Sequence, residues 1–162
     1  MSAVPNELAF QDQMPDNSCF GCGPDNEQGL QIKSYWSETA PGDTVCDFQP
    51  QPHHNAGSAK ILNGGIIATV MDCHSAVTAV AQAYRVAGRE IGSDPQYWYV
   101  TGSFELSYKA PAMLEKTVHL TARIVEVMEK KSLVECELWS GDTLCTTSRM
   151  VAVRVPMGWH NV

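Results

Sequence analysis

The chain has 162 residues, which suits one ordinary domain, and 44% of them are hydrophobic, so it can bury a core. Eleven Lys and Arg residues against eighteen Asp and Glu residues give a formal charge of −7, which disfavours a broad surface for nucleic acid or anionic membrane. The first seventeen residues lack a secretory signal pattern, and the apolar run 66–83 contains Asp72, His74 and Gln82, too polar for a bilayer span. We therefore expect a cytoplasmic protein that binds neither nucleic acid nor membrane.

The first half of the chain predicts two strands and one long helix. Residues 1–18 show no clear period and are interpreted as a tail or a short helix, followed by a loop rich in Gly, Pro, Asp and Asn. Alternating apolar residues predict half-buried strands at 30–36 and 45–48. Apolar residues then recur at steps of three and four positions between 66 and 84, which predicts a helix with Asn63 as its N-cap and Gly88 as its stop.

The second half predicts four strands joined by short turns. The strands are expected at 98–108, 118–127, 133–139 and 144–155, although the last of them shows no clean apolar face. A slip of the alternation at Val125 predicts a β-bulge in the second of the four. This order of elements predicts an α+β domain over 19–156, in which a curved antiparallel sheet surrounds one helix, with a C-terminal tail at 157–162.

The six cysteines are expected to be reduced, because a chain with this core needs no disulfide framework. Cys19-x-x-Cys22 has the spacing of a zinc-binding or redox pair. No second CxxC or CxxH follows it, although His53 and His54 could complete a metal site, so we expect a packed loop without metal. The other cysteines are interpreted as small core residues: Cys46, Cys73, Cys136 and Cys145.

Asn63-Gly64-Gly65 and Asp72 form the strongest candidate for a site. Glycines at the start of a helix allow a ligand to approach free backbone N–H groups, where the helix dipole favours negative charge. Asp72 returns to nearly the same helix face two turns after Gly65, within a helix otherwise made of apolar and small residues. A carboxylate in that setting is costly unless it is paired or functional. His74, on the apolar face, is interpreted as a core histidine with satisfied hydrogen bonds.

These residues resemble those of the hot-dog fold thioesterases, and specifically those of the phenylacetyl-CoA-type (PaaI-like) thioesterases. In that group a His-Gly-Gly sequence commonly starts the helix and an acidic residue follows the His by nine positions, as Asp72 follows Asn63 here. The stretch 19–30, with its Cys-Phe-Gly-Cys-Gly sequence, and the stretch 107–112 are similar to further parts of such chains. Two departures stand out. Asn63 replaces the His, so this side chain cannot shuttle a proton. Lys109 replaces a common Arg, so the bidentate hydrogen-bonding fork of the guanidinium is lost.

The resemblance implies a hot-dog fold and hydrolysis of an acyl-CoA thioester without metal or other cofactor, coenzyme A being part of the substrate. The Gly65 N–H and the Asn63 amide would polarise the thioester carbonyl, while Asp72 would act as general base or attack directly as nucleophile. The remaining predicted substrate contacts are Gly64, Lys60, His54, Arg85, Arg89 and Lys109.

Two alternatives of other classes stay open. A non-catalytic module that binds acyl-CoA would fit the missing His, whereas a hot-dog dehydratase or hydratase is disfavoured because Asp72 and His74 point to different sides of the helix.

Gly65 and Asp72 are about 10 Å apart along one helix, so a single helix brings both groups to one thioester only marginally. The hot-dog resemblance points the same way, since such proteins pair two sheets edge to edge, and it implies a homodimer, or a dimer of dimers, in which two chains share each site.

Overall fold

A single antiparallel sheet wraps around one long helix in this computed structural model, which describes residues 8–159. The parts of the predicted tails at 1–7 and 160–162 lie outside the described residues. In chain order the elements are β1 (Ser34–Trp36), β2 (Thr44–Phe48), α1 (Gly64–Val86), β3 (Trp98–Tyr108), β4 (Val118–Met128), β5 (Lys131–Ser140) and β6 (Thr143–Val155), with short 3-10 helices at Gln11–Gln13 and Pro52–His54.

The six strands are ordered β1-β2-β4-β5-β6-β3, and all their pairings are antiparallel. This arrangement confirms the predicted hot-dog fold of the α+β class. The register of β4 against β5 shifts between Ile124 and Glu126, which confirms the bulge predicted at Val125. A second bulge in β3 was not predicted. It lies at Gly102, where a Cβ atom would come within 2.7 Å of Val153 Cγ2, so the close approach of β6 requires glycine.

Helix α1 fills the concave side of the sheet and supplies much of the core. Val70, Met71 and Val80 are almost fully buried, and Gly88, with φ of 64°, ends the helix as predicted. By length and composition alone α1 could cross a membrane, contrary to the expectation from its polar residues, but most of it is buried inside the domain. Its wrapped position explains why apolar residues occur on several of its faces.

His74 is confirmed as a core histidine. Its Nδ1 lies 2.8 Å from Ser34 Oγ on β1, and its Nε2 lies 3.3 Å from Thr44 Oγ1 on β2. Thr78, one turn further along α1, lies 2.6 Å from the same Thr44 oxygen. Complete burial lowers the pKa of His74 to about 4, so the neutral ring joins the helix to the two short strands.

The first strand is shorter than predicted, beginning at Ser34 and not at Leu30. Gln31 has φ of 51°, which interrupts an extended run, and its side-chain amide donates to Asn26 O at 3.0 Å. The segment therefore remains part of the preceding loop. On the N-terminal side, the Phe10 N–H donates to Ser34 O at 2.9 Å, so the segment around Phe10 packs against β1.

Candidate active site

The start of α1 is organised by the side chain of Asn63. Its Oδ1 accepts hydrogen bonds from the Gly65 N–H at 2.7 Å and from the Ile66 N–H at 3.3 Å, which is the geometry of an N-cap. The Gly65 N–H, predicted to polarise a substrate carbonyl, is therefore engaged by Asn63 in the isolated chain. Because Oδ1 is fixed in this way, the amide nitrogen of Asn63 remains as a donor for another group.

Gly64 presents the second donor at this end of the helix. Within residues 8–159 its N–H has no hydrogen-bond partner, whereas its carbonyl accepts from Tyr108 Oη at 2.7 Å. Tyr108 ends β3 and was not predicted as a site residue, although it lies in the 107–112 stretch that carries the family resemblance. The Asn63 N–H donates to His54 O at 2.9 Å, so β3 and the loop before α1 both hold the helix start in place.

Replacing Asn63 should separate its capping role from its donor role. Asp is an equally good N-cap but has no amide hydrogens, so Asn63→Asp should keep the unfolding temperature near that of the wild type. Asn63→Ala should lose about 1 kcal/mol of stability with the cap. If Asn63 donates to a developing oxyanion, both variants should lower kcat by roughly 10²-fold. Thermal unfolding and steady-state kinetics of the two variants check this, and an active Asn63→Asp enzyme would contradict it.

Asp72 lies in the middle of α1 and is only partly exposed. Its Oδ1 accepts a hydrogen bond from Thr101 Oγ1 of β3 at 2.5 Å. Burial raises the pKa of the Asp72 carboxyl, the Thr101 hydrogen bond opposes that effect, and the nearby Cys19 adds to it. A carboxylate with a raised pKa is a stronger base, and Thr101 fixes its orientation.

A pocket of about 250 Å³ opens beside Asp72 and Thr101. Its wall is mainly apolar and includes Val77, Val80 and Trp98. An apolar pocket with a few polar groups at one side is typical of a site for a small organic group. The arrangement can therefore hold an acyl chain with its polar end near the Asp72 carboxylate.

Cys19, Cys22 and Cys73 meet at the same pocket, with their three Sγ atoms all within 4.8 Å of one another. Hydrogen bonds from the Cys22 and Cys73 thiols hold the pKa of Cys19 well below its usual range, and the bond with Cys19 raises the pKa of Cys22 to about 12. Cys73 is buried, as expected of a core residue, but its contact with the Cys19-x-x-Cys22 loop was not predicted. Its position next to Asp72 is the only hint in the sequence.

The predicted cationic contacts divide between the two ends of α1. Arg85 lies over the Trp36 ring, and Arg89 donates to the carbonyls of Ser93 and Pro95 at 2.7 and 2.6 Å, so both sit at the C-terminal end, away from Asn63. Lys60 precedes the helix start and Lys109 follows Tyr108, so these two lie near its N-terminal end.

His54 also lies near the helix start but has a structural role there. Its Nδ1 accepts a hydrogen bond from the Gln51 N–H at 3.0 Å, and its ring stacks on Phe48. Burial lowers the pKa of His54, so the neutral ring is favoured.

The two halves of the candidate site open on one side of the domain. Gly65, Thr69, Asp72 and Ala76 form a partly exposed stripe of mostly small residues along α1. Strand β3 runs beside this stripe, since its Tyr108 bonds to the helix start and its Thr101 bonds to Asp72. Within the described chain β3 pairs only with β6, which leaves its other edge unpaired.

Comparison with known proteins identifies the family. The family model of the thioesterase superfamily matches residues 59–147, which include the helix start, Asp72 and most of the sheet. The chain belongs to the thioesterase superfamily. A thioesterase superfamily protein from Shewanella loihica PV-4 is 31% identical, with a TM-score of 0.63, over 82% of this chain and 97% of its own.

Other solved structures share the fold at lower identity. A phenylacetic acid degradation-related protein from Ralstonia eutropha JMP134 is 18% identical over 83% of this chain and 92% of its own, with a TM-score of 0.63. The PaaI protein from the phenylacetic acid degradation operon of E. coli is 14% identical over 78% and 81%, with a TM-score of 0.62. No curated protein matches this chain. The predicted resemblance to the hot-dog thioesterases is thus confirmed.

Proposed function

We propose that this protein hydrolyses an acyl-CoA thioester to a carboxylic acid and free coenzyme A in the cytoplasm. The observation that carries the proposal is the pairing of a capped glycine helix start with a half-buried Asp72 that lines an apolar pocket. Membership of the thioesterase superfamily supports the same reaction class. The reaction uses no cofactor, because its leaving group is a thiol with a pKa of about 8.5 that departs with little acid assistance.

The start of α1 stabilises the negative charge that develops on the thioester oxygen. The Asn63 amide nitrogen and the Gly64 N–H are the donors, and the Gly65 N–H keeps the Asn63 amide in the orientation that presents its nitrogen. The positive end of the helix dipole adds to their effect. A thioester oxygen reaches the Gly65 N–H itself only by displacing Asn63 Oδ1.

Asp72 supplies the second half of the chemistry. Its carboxylate either removes a proton from the attacking water or attacks the carbonyl carbon itself to give a mixed anhydride, which water then opens. The Thr101 hydroxyl holds one carboxylate oxygen in both cases. In the anhydride route, water that attacks the Asp72 carbonyl carbon leaves a protein oxygen in the product acid of a single turnover in ¹⁸O-labelled water, a result that the general-base route excludes.

Two chains are proposed to share each site, in a homodimer or a dimer of dimers. Gly65 and Asp72 of one helix are about 10 Å apart, which is too far for the donors at the helix start and the Asp72 carboxylate to contact one thioester group together. The stripe of small residues on α1 and the unpaired edge of β3 support an antiparallel pairing of two chains on this side of the domain. The helix start of one chain would then face Asp72 of the other.

Lys60 and Lys109 are the proposed contacts for the coenzyme A phosphates. They lie near the helix start, and the domain otherwise has an excess of acidic residues. Lys109 offers a point charge where a bidentate Arg is common in similar chains. Arg89 is a weaker candidate because it already bonds two carbonyls, and Arg85 lies at the far end of α1.

A second candidate, a module that binds acyl-CoA without turning it over, is favoured by one observation. Asn63 cannot shuttle a proton, unlike the His that commonly stands at this position in similar chains. A third candidate, a hydratase, would need a histidine paired with Asp72. His74 does not fill that role, because it is buried between Ser34 and Thr44 and does not face Asp72.

Thiol release from a panel of aryl and alkyl acyl-CoA thioesters tests the proposal. The panel includes phenylacetyl-CoA, because two structural relatives are named for phenylacetic acid degradation. The protein's own accessible thiols are first titrated to completion, so that later signal comes from coenzyme A. We expect saturable thiol release with at least one thioester. Saturable binding without release would support the binding module, and hydration of an enoyl-CoA would support the hydratase.

A further inference from the structure

Three sulfur atoms converge between the loop after Asn17 and helix α1. Cys19 Sγ lies 3.6 Å from Cys73 Sγ, and Cys22 Sγ completes a triangle with all three atoms within 4.8 Å. Four thiolates around a tetrahedral zinc ion at about 2.3 Å from each sulfur have S···S separations of about 3.8 Å. The cluster therefore has the size of three corners of a zinc tetrahedron.

Hydrogen bonds within the loop fix the two cysteines relative to each other. The Gly23 N–H donates to Cys19 O at 2.8 Å, which closes a turn around the Cys19-x-x-Cys22 sequence. The Cys19 N–H donates to Asn17 Oδ1 at 3.2 Å, and the buried Asn17 adds a long contact of 3.9 Å from its Nδ2 to Cys22 Sγ. Donors to a ligand sulfur stabilise the negative charge of a thiolate. The Asn17 contact is therefore an observation independent of the spacing of the sulfurs.

The loop is also pressed tightly onto the helix. A Cβ atom at Gly21 would overlap Cys73 Sγ, and one at Gly23 would overlap the backbone N of Cys19. Only glycine at these two positions lets the loop approach closely enough for its cysteines to meet Cys73. The two glycines therefore permit the three sulfurs to converge.

We propose that Cys19, Cys22 and Cys73 together bind one zinc ion. The fourth coordination position faces the pocket beside Asp72, where Cys19 is exposed to solvent and a water molecule completes the tetrahedron. The ion joins the 17–23 loop to α1 one residue from Asp72 and so rigidifies that wall of the pocket. The expectation of a metal-free loop depended on the absence of a second CxxC motif from the sequence. The fold instead brings a third cysteine, Cys73, to the loop from α1.

Metal content measured by elemental analysis tests the proposal in the full chain purified without added metal. We expect about one zinc per chain, because three thiolates and one water complete a four-coordinate site. Cys22→Ser and Cys73→Ala should each reduce this to below about a tenth, since each removes one of only three protein ligands. Cys136→Ala is the matched control, because Cys136 is equally buried but lies on β5 away from the cluster, and it should retain the metal. Asp72→Asn should retain it too.

Cobalt binding to the wild-type chain keeps the proposal testable if the cysteine variants do not fold. Co²⁺ added to protein stripped with a chelator should give strong thiolate-to-cobalt absorption at one equivalent, and zinc should displace it. Folded wild-type chain with neither zinc nor this absorption would overturn the proposal, as would a Cys19–Cys73 disulfide in protein isolated without reductant. Zinc that remains after both Cys22→Ser and Cys73→Ala would do the same. None of these readouts uses turnover, so they are independent of the proposed hydrolysis.

Discussion

The Asp72→Asn variant should remain folded and lose about 10³-fold in kcat toward the best thioester of the panel, in the range found for loss of a general base. The amide has nearly the same size as the carboxylate, and its oxygen can still accept the hydrogen bond from Thr101. It cannot take a proton from water or attack a carbonyl carbon. Steady-state kinetics together with thermal unfolding of the purified variant measure both parts of the expectation.

Asp142→Asn is the matched control for this substitution. Asp142 lies exposed in the turn between β5 and β6, away from the pocket, so the same chemical change there should leave kcat unchanged. Wild-type turnover in folded Asp72→Asn protein would remove Asp72 from the mechanism. It would also place the reacting groups elsewhere than in the pocket beside Thr101.

Mixing two inactive chains should restore activity if each site is built from two subunits. Asp72→Asn chains keep an intact helix start, and Asn63→Asp chains keep an intact carboxylate. After unfolding and refolding a 1:1 mixture, about half of the dimers are mixed and each holds one intact site of two, so about a quarter of the wild-type activity should return. That recovery is well above the residual activity expected of either variant alone. Thiol release before and after co-refolding measures it.

Each variant refolded by itself is the control, since refolding alone should restore nothing. Native mass spectrometry of chains that differ by a short tag shows whether mixed dimers have formed. Mixed dimers without recovered activity would contradict a shared site and would require one chain to supply every group. A protein that stays monomeric while it turns over substrate would contradict it as well.

The main elements of the fold could be predicted because each has a local cause. The apolar period of α1, its Asn63 cap and its Gly88 stop are all encoded within one short stretch, and the bulge at Val125 shows as a slip in alternation. Strand β6 was less clear because Thr146 and Ser148 are buried polar residues that break the apolar pattern. The predicted start of β1 was wrong because Gln31 has a left-handed backbone conformation that interrupts the extended run, and no glycine marks the position in the sequence.

The candidate site could be predicted only where its parts share one helix. Asn63 and Asp72 are nine positions apart on α1, so helix geometry alone relates them. The partners of the site come from elsewhere: Thr101 is 29 positions from Asp72, Tyr108 is 44 from Gly64, and Cys73 is 54 from Cys19. Such contacts depend on how the sheet wraps the helix, which a periodic pattern does not specify. The engagement of the Gly65 N–H by Asn63 likewise depends on the cap geometry.

If two chains pair through the open edge of β3 as proposed, a chain separated from its partner is prone to aggregation. Within the described chain β3 is eleven residues long and pairs on one side only, so every second residue turns its N–H and C=O groups to the open edge, and Glu105 is the one charged residue in Trp98–Tyr108. Natural edge strands are usually protected from pairing with other chains by charges, proline or short length, and β3 has little of this protection. Substitutions meant to isolate a monomer should therefore produce precipitate before they produce a soluble inactive chain. Expression yield and light scattering would register damage to this edge earlier than any kinetic assay.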